Sequence, residues 1–442
     1  MASNDSDSQR SSPAKRAMST LPTEKVFSIQ IGTELFRLSG ASIASDAPSY
    51  FSRFFEEQLR QNGENATIRT LYIDRDPETF REIARHLQGY HVEPKDEGEF
   101  VKLFADAQFY TLPRLISQLF ESQIFIQIGE RHFQISRDIF SGPGDSPNFF
   151  TLGFAIFFAN PSEVFPGLDR NGLLRPPAIV PPRVTHRSGD VFAELLHLLR
   201  GYPLQIRNEE HRAELLRDCR YFHLRGLEQK LIPHHISFNP IRQRSEIVIR
   251  LDDVRPSGVR HARDDNSRNR ATYARPFVDE TLHDLILEIG DESTILNTRT
   301  MRAGFLNLAK ARMSSLAQVI AKDLGLEGKG PLYRTAESAH PSTGGESFSI
   351  RFDRETELIL NGQTVDYLDF PGAAGSSDHP PAKRKRVEED LESGFVVVRN
   401  GQWRLVVDSG PAASAELVLI AVKLDVYTEE RMRNRSRLFL GS

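Results

Sequence analysis

Disulfide bonds, cysteine-rich metal sites and membrane-spanning runs are excluded by what this sequence lacks. Its 442 residues include one cysteine, Cys219, so neither an intrachain disulfide nor a cysteine-rich zinc site can form. So few cysteines are typical of proteins in a reducing intracellular compartment. No apolar run approaches the roughly 18 residues that a membrane-spanning helix needs, so we expect no transmembrane segment. The polar, serine-rich N-terminus has no apolar core of a secretory signal.

Excess charge and motifs of catalysis are also missing. The formal net charge is −4, which gives no general attraction to nucleic acids or membrane surfaces. The sequence contains no P-loop, no GxGxxG dinucleotide motif and no GxSxG nucleophile elbow. We therefore expect a protein that is not an enzyme, needs no cofactor or metal, and binds no nucleic acid.

What is present is a strand–turn–helix stretch at Leu71–Tyr90. Leu71 and Ile73 alternate with polar neighbours, as in a half-buried strand. A turn follows, in which Asp76 suits the N-cap and Pro77 the first position of a helix. Apolar residues at helical spacing then continue to Gly89, a typical helix stop.

A weaker copy of this stretch lies at Thr185–Tyr202, and other segments recur in the same order. Such ordered self-similarity predicts a duplicated domain of about 100 residues. The matched segments are Ile29–Gly32 with Ile126–Gly129, Asp46–Phe51 with Asp145–Phe150, His86–Tyr90 with Leu198–Tyr202, and Asp106–Tyr110 with Asp218–Phe222.

The predicted fold class is α+β, with two tandem repeats followed by a mixed α+β C-terminal domain. Within that domain, Leu285–Asn297 and Phe395–Val407 each predict a hairpin, the second about an Asn400-Gly401 turn. Gly/Ser/Pro-rich or charged stretches predict disorder. The expected boundaries are 1–24 for a disordered tail, 25–122 and 123–240 for the repeats, 241–275 for an arginine-rich strand and linker, and 276–442 for the last domain, with disordered insertions at about 335–346 and 371–393.

The first repeat resembles the tetramerisation type of BTB/POZ domain found in potassium channels and their soluble relatives. The resemblance covers Lys25 to about Ser122, and the second copy is degenerate. Thr33 departs from the paired glycines usual in the family, and a single cysteine cannot supply the zinc site of the channel branch. The matching residues are Ile29, Gly32, Phe36, Ile73, Asp74, Arg75, Asp76, Phe80, Ile83 and Leu87.

Tandem copies followed by an α+β tail are similar to the fungal Whiskey-type growth regulators. The resemblance implies a scaffold that binds and activates or targets a protein phosphatase in general stress and nutrient-growth signalling. It also implies a cytoplasmic location, with recruitment to the membrane by the partner. The wider BTB/POZ family includes substrate adaptors of cullin ubiquitin ligases, which is the alternative function. Self-association is a further expectation for the tetramerisation type.

Two clusters are candidate functional residues. Asp74, Arg75 and Asp76 place an arginine between two carboxylates, which would lower both carboxyl pKa values rather than separate them. This favours a structural or interface role over acid–base catalysis. His186-Arg187-Ser188 stands at the same place in the second copy, so the triplet predicts an interface unique to the first repeat.

The second cluster is Lys383, Arg384, Lys385 and Arg386. Four adjacent bases in a loop are the usual form of a nuclear import signal, and a solvated charged loop is the alternative. A working signal would make the protein a nuclear regulatory cofactor.

Overall fold

The computed structural model divides the chain into two compact units, with the boundary after Leu227. Each unit is described by itself. The described residues are 21–63, 68–152, 182–263, 269–326, 330–335, 340–343, 345–367, 370, 394–409, 415–435 and 437.

The first repeat is a three-stranded sheet packed with helices. Strand β1 pairs antiparallel with β2 and parallel with β3, which gives the order β2-β1-β3. The inward residues of β1 are apolar and buried, whereas its alternate residues face outward. The elements are β1 Val26–Ile31, β2 Glu34–Ser39, α1 Gly40–Ala44, α2 Tyr50–Asn62, β3 Leu71–Ile73, α3 Pro77–Leu87, α4 Glu97–Phe109 and α5 Pro113–Ser122.

The next segment repeats this topology. Strand β4 is antiparallel to β5 and parallel to β6, in the order β5-β4-β6. The last helix, α8, contains the boundary between the two units. The elements are β4 Gln123–Ile128, β5 Arg131–Ser136, β6 Arg183–Val184, α6 Gly189–Leu199, α7 Glu209–Phe222 and α8 Arg225–Leu231.

Matched phenylalanines form the core of each repeat. In the first repeat the ring of Phe80 lies 4.8 Å from that of Phe36, edge to face, and Phe80 itself is fully buried. In the second repeat the ring of Phe192 lies 5.0 Å from that of Phe133, also edge to face. Aromatic pairs prefer this geometry. The residues that recur in the sequence therefore recur in the packing.

The second unit is built on one large sheet. Its strands run in the order β12-β13-β14-β17-β16-β10-β11-β8-β7, with β15 on β14 and β9 on β10. An additional pairing of β12 with β16 closes five strands into a ring. The elements are β7 His234–Asn239, β8 Arg244–Arg250, β9 Val259–Arg263, β10 Asn269–Tyr273, β11 His283–Ile289, β12 Thr294–Asn297, β13 Arg302–Phe305, α9 Asn307–Asp323, β14 Phe348–Leu360, β15 Gln363–Val365, β16 Phe395–Ser409, β17 Ala415–Tyr427 and α10 Glu430–Arg435.

The two predicted hairpins of this unit are wrong. Strand β16 runs without a turn through Asn400-Gly401, and its register with β17 shifts on either side of this pair, between Val398 and Asn400 and between Gln402 and Trp403. Strands β11 and β12 pair with successive parts of β16 and not with each other. Gly401 is needed for packing, since a Cβ there would lie 2.6 Å from the indole nitrogen of Trp403.

The domain boundaries also differ from those predicted. Strand β7, His234–Asn239, falls within the predicted second repeat, 123–240. It pairs with β8 and so belongs to the sheet of the second unit. The predicted linker within 241–275 contains β9 and β10, which pair with each other. The arginines of this segment hide its strand character in the sequence, although Val259 in β9 and the consecutive residues Ala271, Thr272 and Tyr273 in β10 are buried.

The described parts of the predicted disordered segments are packed. Leu21 is buried, so ordered structure begins before residue 25. Pro341–Thr343 forms a 3-10 turn within the predicted insertion 335–346, and the buried Thr343 side chain lies against Gly304. The insertion 371–393, with Lys383–Arg386, lies outside the described residues. Within the described ranges, no helix has the length and apolar character to cross a membrane.

Candidate functional site

The triplet Asp74, Arg75 and Asp76 lies in the turn between β3 and α3. Asp76 is the N-cap of α3, where its carboxylate accepts hydrogen bonds from the Glu78 N–H at 3.2 Å and the Thr79 hydroxyl at 2.7 Å. Such a cap satisfies backbone donors that the first helical turn leaves open. Asp76 thus has a structural role as the cap of α3. Asp74 is exposed.

Arg75 points inward from the same turn and ties it to helix α4. Its guanidinium forms an ion pair with Asp106, and both side chains are largely buried. The guanidinium carbon also lies 4.9 Å from the ring centroid of Phe109, over its face. A buried ion pair of this kind fixes geometry, because loss of either partner leaves the other charge uncompensated.

The second repeat has the same arginine clamp. Arg187 lies 3.7 Å from Asp218 and places its guanidinium 4.3 Å from the ring centroid of Tyr221. Ser188 replaces Asp76 as the N-cap and accepts a hydrogen bond from the N–H of Val191 at 3.4 Å. The central arginine of the triplet is thus shared by both copies. What differs between the copies is the outer pair of residues.

The electrostatics of the clamps reflect their burial. Burial lowers the pKa of the Arg75 guanidinium and raises that of the Asp218 carboxyl, which Arg187 and Arg217 only partly oppose. For Asp76, burial alone would raise the pKa, but the hydrogen bonds from Thr79 and Glu78 outweigh it, so the carboxyl pKa lies below its ordinary value. Each shift follows from burial and from the hydrogen bonds and charges of the neighbouring groups.

A second pair of matched aspartates, Asp46 and Asp145, begins one of the repeated segments of the sequence. Asp46 accepts hydrogen bonds from the N–H groups of Arg114 and Leu115, at 2.8 and 3.0 Å, at the start of α5. Asp145 accepts one from Leu227 N–H, at 2.8 Å, at the matching helix. Both carboxylates are buried. Each therefore holds the last helix of its repeat in place.

The outer sheet face of the first repeat is exposed and partly apolar. Leu35, Gln30 and Tyr72 form one row across β2, β1 and β3. Leu35 is 52% exposed and Tyr72 is 60% exposed, and Val26 on the same face is 58% exposed. Arg37 is exposed on this face as well. Contiguous exposed apolar surface is a feature of interaction sites, so this face is a candidate for one.

The equivalent face of the second repeat differs in composition. The matching row across its sheet is His132, Gln127 and Arg183. Polar and basic side chains thus replace Leu35 and Tyr72. Comparing the two copies position by position is the sequence signal that could have revealed this contrast.

That second face is also covered, by helix α4 of the first repeat. The rings of Phe100 and Phe125 lie 5.1 Å apart, and His132 Nδ1 lies 2.8 Å from Glu97 Oε1. Phe125 is buried, whereas Ser28 at the matching position of the first repeat is only half-buried. One repeat's sheet face therefore docks on the other repeat's helix.

Groups for other chemistry are not gathered among the described residues. In that part of the chain, no three His, Cys, Asp or Glu side chains come together as a metal site. Cys219 is buried in α7, where it serves as a small core residue.

Comparison with known protein families identifies the first repeat. Residues 27–120 match the BTB/POZ domain family. The chain is 40% identical over 249 residues to the uncharacterized protein YDR132C of Saccharomyces cerevisiae, a match that covers 54% of this chain and 49% of the relative. It is 37% identical over 240 residues to the BTB/POZ domain-containing protein YLR108C of the same yeast, covering 54% and 47%. The chain thus spans about half the length of the curated relatives it matches.

Proposed function

Because residues 27–120 form a BTB/POZ domain, a module of protein–protein interaction, we propose that this protein is a non-enzymatic scaffold. In this proposal residues 25–227 are two tandem BTB/POZ-type repeats, the second of them degenerate. The observation that carries the proposal is the unequal use of one surface: the outer sheet face is covered in the second repeat and open in the first. The open face is the partner-binding site.

The covered face supports a specific kind of partner. There the occupant is an amphipathic helix, α4, that offers an aromatic anchor, Phe100, and a carboxylate, Glu97. The open face presents Leu35 and Tyr72 for an apolar anchor, with Arg37 exposed beside them for a carboxylate. A helix laid on a complementary surface is a common mode of recognition. We infer that the partner contributes an amphipathic helix with an apolar anchor for Leu35 and Tyr72 and one carboxylate that reaches Arg37.

The triplet has a divided role in this proposal. Asp74 and Asp76 are exposed next to Tyr72 and extend the interface. Arg75 is an interface residue only indirectly, because it holds the turn that carries them. The matching positions His186 and Ser188 bear no negative charge, which would make the acidic edge specific to the first repeat.

By its resemblance to fungal growth regulators, the scaffold would recruit a protein phosphatase in stress and nutrient signalling. The test is affinity purification of the full chain, scored by mass spectrometry for phosphatase subunits and for cullins. Tyr72→Glu should reduce partner recovery at least tenfold, since it puts a charge in the apolar row. Arg183→Glu, at the matching position of the second repeat, should leave recovery unchanged.

Three results would contradict parts of this proposal. A cullin recovered in place of a phosphatase would support the ubiquitin-ligase adaptor. An equal loss of partner recovery with Tyr72→Glu and Arg183→Glu would show that the partner does not bind the open face specifically. Recovery of neither class of partner would remove the scaffold function itself.

A further inference from the structure

A cavity of about 250 Å³ in the second unit is lined by an unusual set of charges. Three arginines reach it from separate places: Arg242 from the turn between β7 and β8, Arg270 from β10, and Arg404 from β16. Two aspartates, Asp284 and Asp353, lie at its wall. Residues distant in the sequence thus bring three guanidinium groups to one small space.

Two of these arginines are already compensated. Arg270 Nε donates to Asp284 Oδ1 at 2.6 Å, and Arg242 Nη1 donates to Glu246 Oε1 at 3.0 Å. Both pairs are mostly buried. The remaining charge in the cavity is therefore that of Arg404 against Asp353.

Arg404 is the poorly compensated member. Its side chain is 12% exposed, and its contact with Asp353 is long, at 3.9 Å, to a carboxylate that is itself half-exposed. No hydrogen bond joins the side chain of Arg404 to any other described residue. Burial and the nearby charge of Arg242 lower the pKa of its guanidinium. A buried guanidinium has five N–H donors, and leaving them open is costly.

An acceptor is open at the same cavity. Asp284 Oδ2 is buried and accepts no hydrogen bond from the described part of the chain. Buried polar atoms are nearly always satisfied in folded proteins. The cavity therefore combines unengaged cationic donors with an unengaged carboxylate acceptor.

We propose that this cavity binds a small organic phosphate. Its phosphoryl oxygens accept hydrogen bonds from Arg404 and Arg242, and a hydroxyl on its carbon part donates to Asp284. Planar guanidinium groups match the oxygen spacing of a phosphoryl group. The phosphoryl group gives Arg404 an anionic partner and offsets the nearby like charge of Arg242, while the carboxylates of Glu246 and Asp284 keep their present partners. This site is independent of the interaction surface of the first unit.

Trp403 provides the measurement. It is the single tryptophan of the chain, fully buried, and precedes Arg404. Its fluorescence reports unfolding of the second unit. Thermal unfolding of the full chain would be followed with glycerol 3-phosphate, inorganic phosphate and acetate, each against sodium chloride at equal ionic strength. A ligand at ten times its dissociation constant should raise the midpoint by about 3 °C.

Glycerol 3-phosphate should give the largest rise, inorganic phosphate a smaller one, and acetate none. Arg404→Gln and, separately, Arg242→Gln in the turn should remove the response, so the test does not depend on one variant folding. Arg312→Gln is the matched control, since Arg312 on helix α9 pairs with Asp252 and neither residue lines the cavity. This variant should keep the response.

Four results would overturn the proposal. The first is a midpoint with glycerol 3-phosphate that is no higher than with sodium chloride, and the second is an equal rise of the midpoint with acetate. The third is a rise with glycerol 3-phosphate no larger than that with inorganic phosphate. The fourth is an unchanged response to glycerol 3-phosphate in both Arg404→Gln and Arg242→Gln.

Discussion

At the scale of single residues, the arginine of the Asp-Arg-Asp triplet has the largest structural role. Arg75 and Arg187 each pair with a buried aspartate and cover an aromatic ring, in the two repeats respectively. The flanking positions are free to differ because they face solvent or cap a helix. A motif that suggests catalysis is thus mainly a clamp.

Replacing Arg75 by Met should destabilise the first unit by about 3–5 kcal/mol, because Asp106 is left buried without its partner. Arg187→Met should cost less, since Arg217 also lies near Asp218, at 3.5 Å. Asp74→Asn, on the surface, should change stability by no more than about 0.5 kcal/mol. Urea unfolding followed by circular dichroism measures all three. A loss for Arg75→Met as small as that for Asp74→Asn would show that the clamp contributes nothing.

The cap at Asp76 should make part of the stability dependent on pH. Its carboxyl pKa is lowered in the folded state, so the stabilisation is present above the pKa of an unfolded aspartate. It is lost as the pH falls through the lower, folded value. Asp76→Ala should cost about 1 kcal/mol at pH 7 and progressively less in acid.

Asp76→Asn is the control for the charge at the cap, because asparagine caps helices without ionising. The free energy of unfolding of Asp76→Asn at pH 7 should be close to that of the wild type. Unfolding midpoints measured from neutral to strongly acidic pH decide the matter. If the loss of stability in Asp76→Ala were constant across that pH range, the pH dependence would not come from the Asp76 carboxylate.

At the scale of elements, the two sheets share their topology but not their surroundings. The face of β4 bears Phe125 and packs on helix α4, whereas the face of β1 bears Ser28 and is open. The covered sheet thus has an aromatic side chain, Phe125, at the position where the open sheet has Ser28. The helix gains a contact, and the first repeat keeps a free surface.

Truncating Phe100 or Phe125 to Ala should each cost about 3–5 kcal/mol. The double variant should cost less than their sum by about 0.5–1.5 kcal/mol, because the two rings contact each other. Ser28→Phe, at the open matching position, should change stability little. A double-mutant cycle with chemical denaturation supplies these values, and strict additivity would argue against direct packing of the rings.

At the scale of the whole molecule, the contact of helix α4 with strands β4 and β5 limits self-assembly. Helix α4 is covered by the chain's own β4, so it cannot accept the sheet of a second molecule. The matching helix, α7, has Arg212 where α4 has Phe100. Helix α7 therefore lacks the aromatic anchor with which it could bind the sheet face of a further repeat, as α4 binds β4.

We accordingly expect a monomer in solution, and light scattering should give a mass near 50.0 kDa. Arg212→Phe, which restores the aromatic anchor on α7, should promote association at high protein concentration. A wild-type mass of two or four chains at micromolar concentration would contradict this expectation. It would indicate instead that the open face of the first repeat binds another copy.

The sequence by itself determined the elements whose signals are local. Alternation identified β1 and β3, capping and periodicity identified α3, and repeated segments identified the duplication of the β1–β2 pattern, because these depend only on neighbouring residues. The exposed Asp-Arg-Asp turn was also located correctly. The direction of its central side chain was not, since Asp106 lies far along the chain.

Only the tertiary structure decided which faces are covered and where the second unit begins. Strand β16 carries a turn-like Asn-Gly pair, yet neighbouring strands hold it straight by hydrogen bonds on both edges. The arginine cavity likewise joins residues from six separate segments. Pairing partners, coverage and convergence depend on contacts between residues distant in sequence, and no local pattern encodes them.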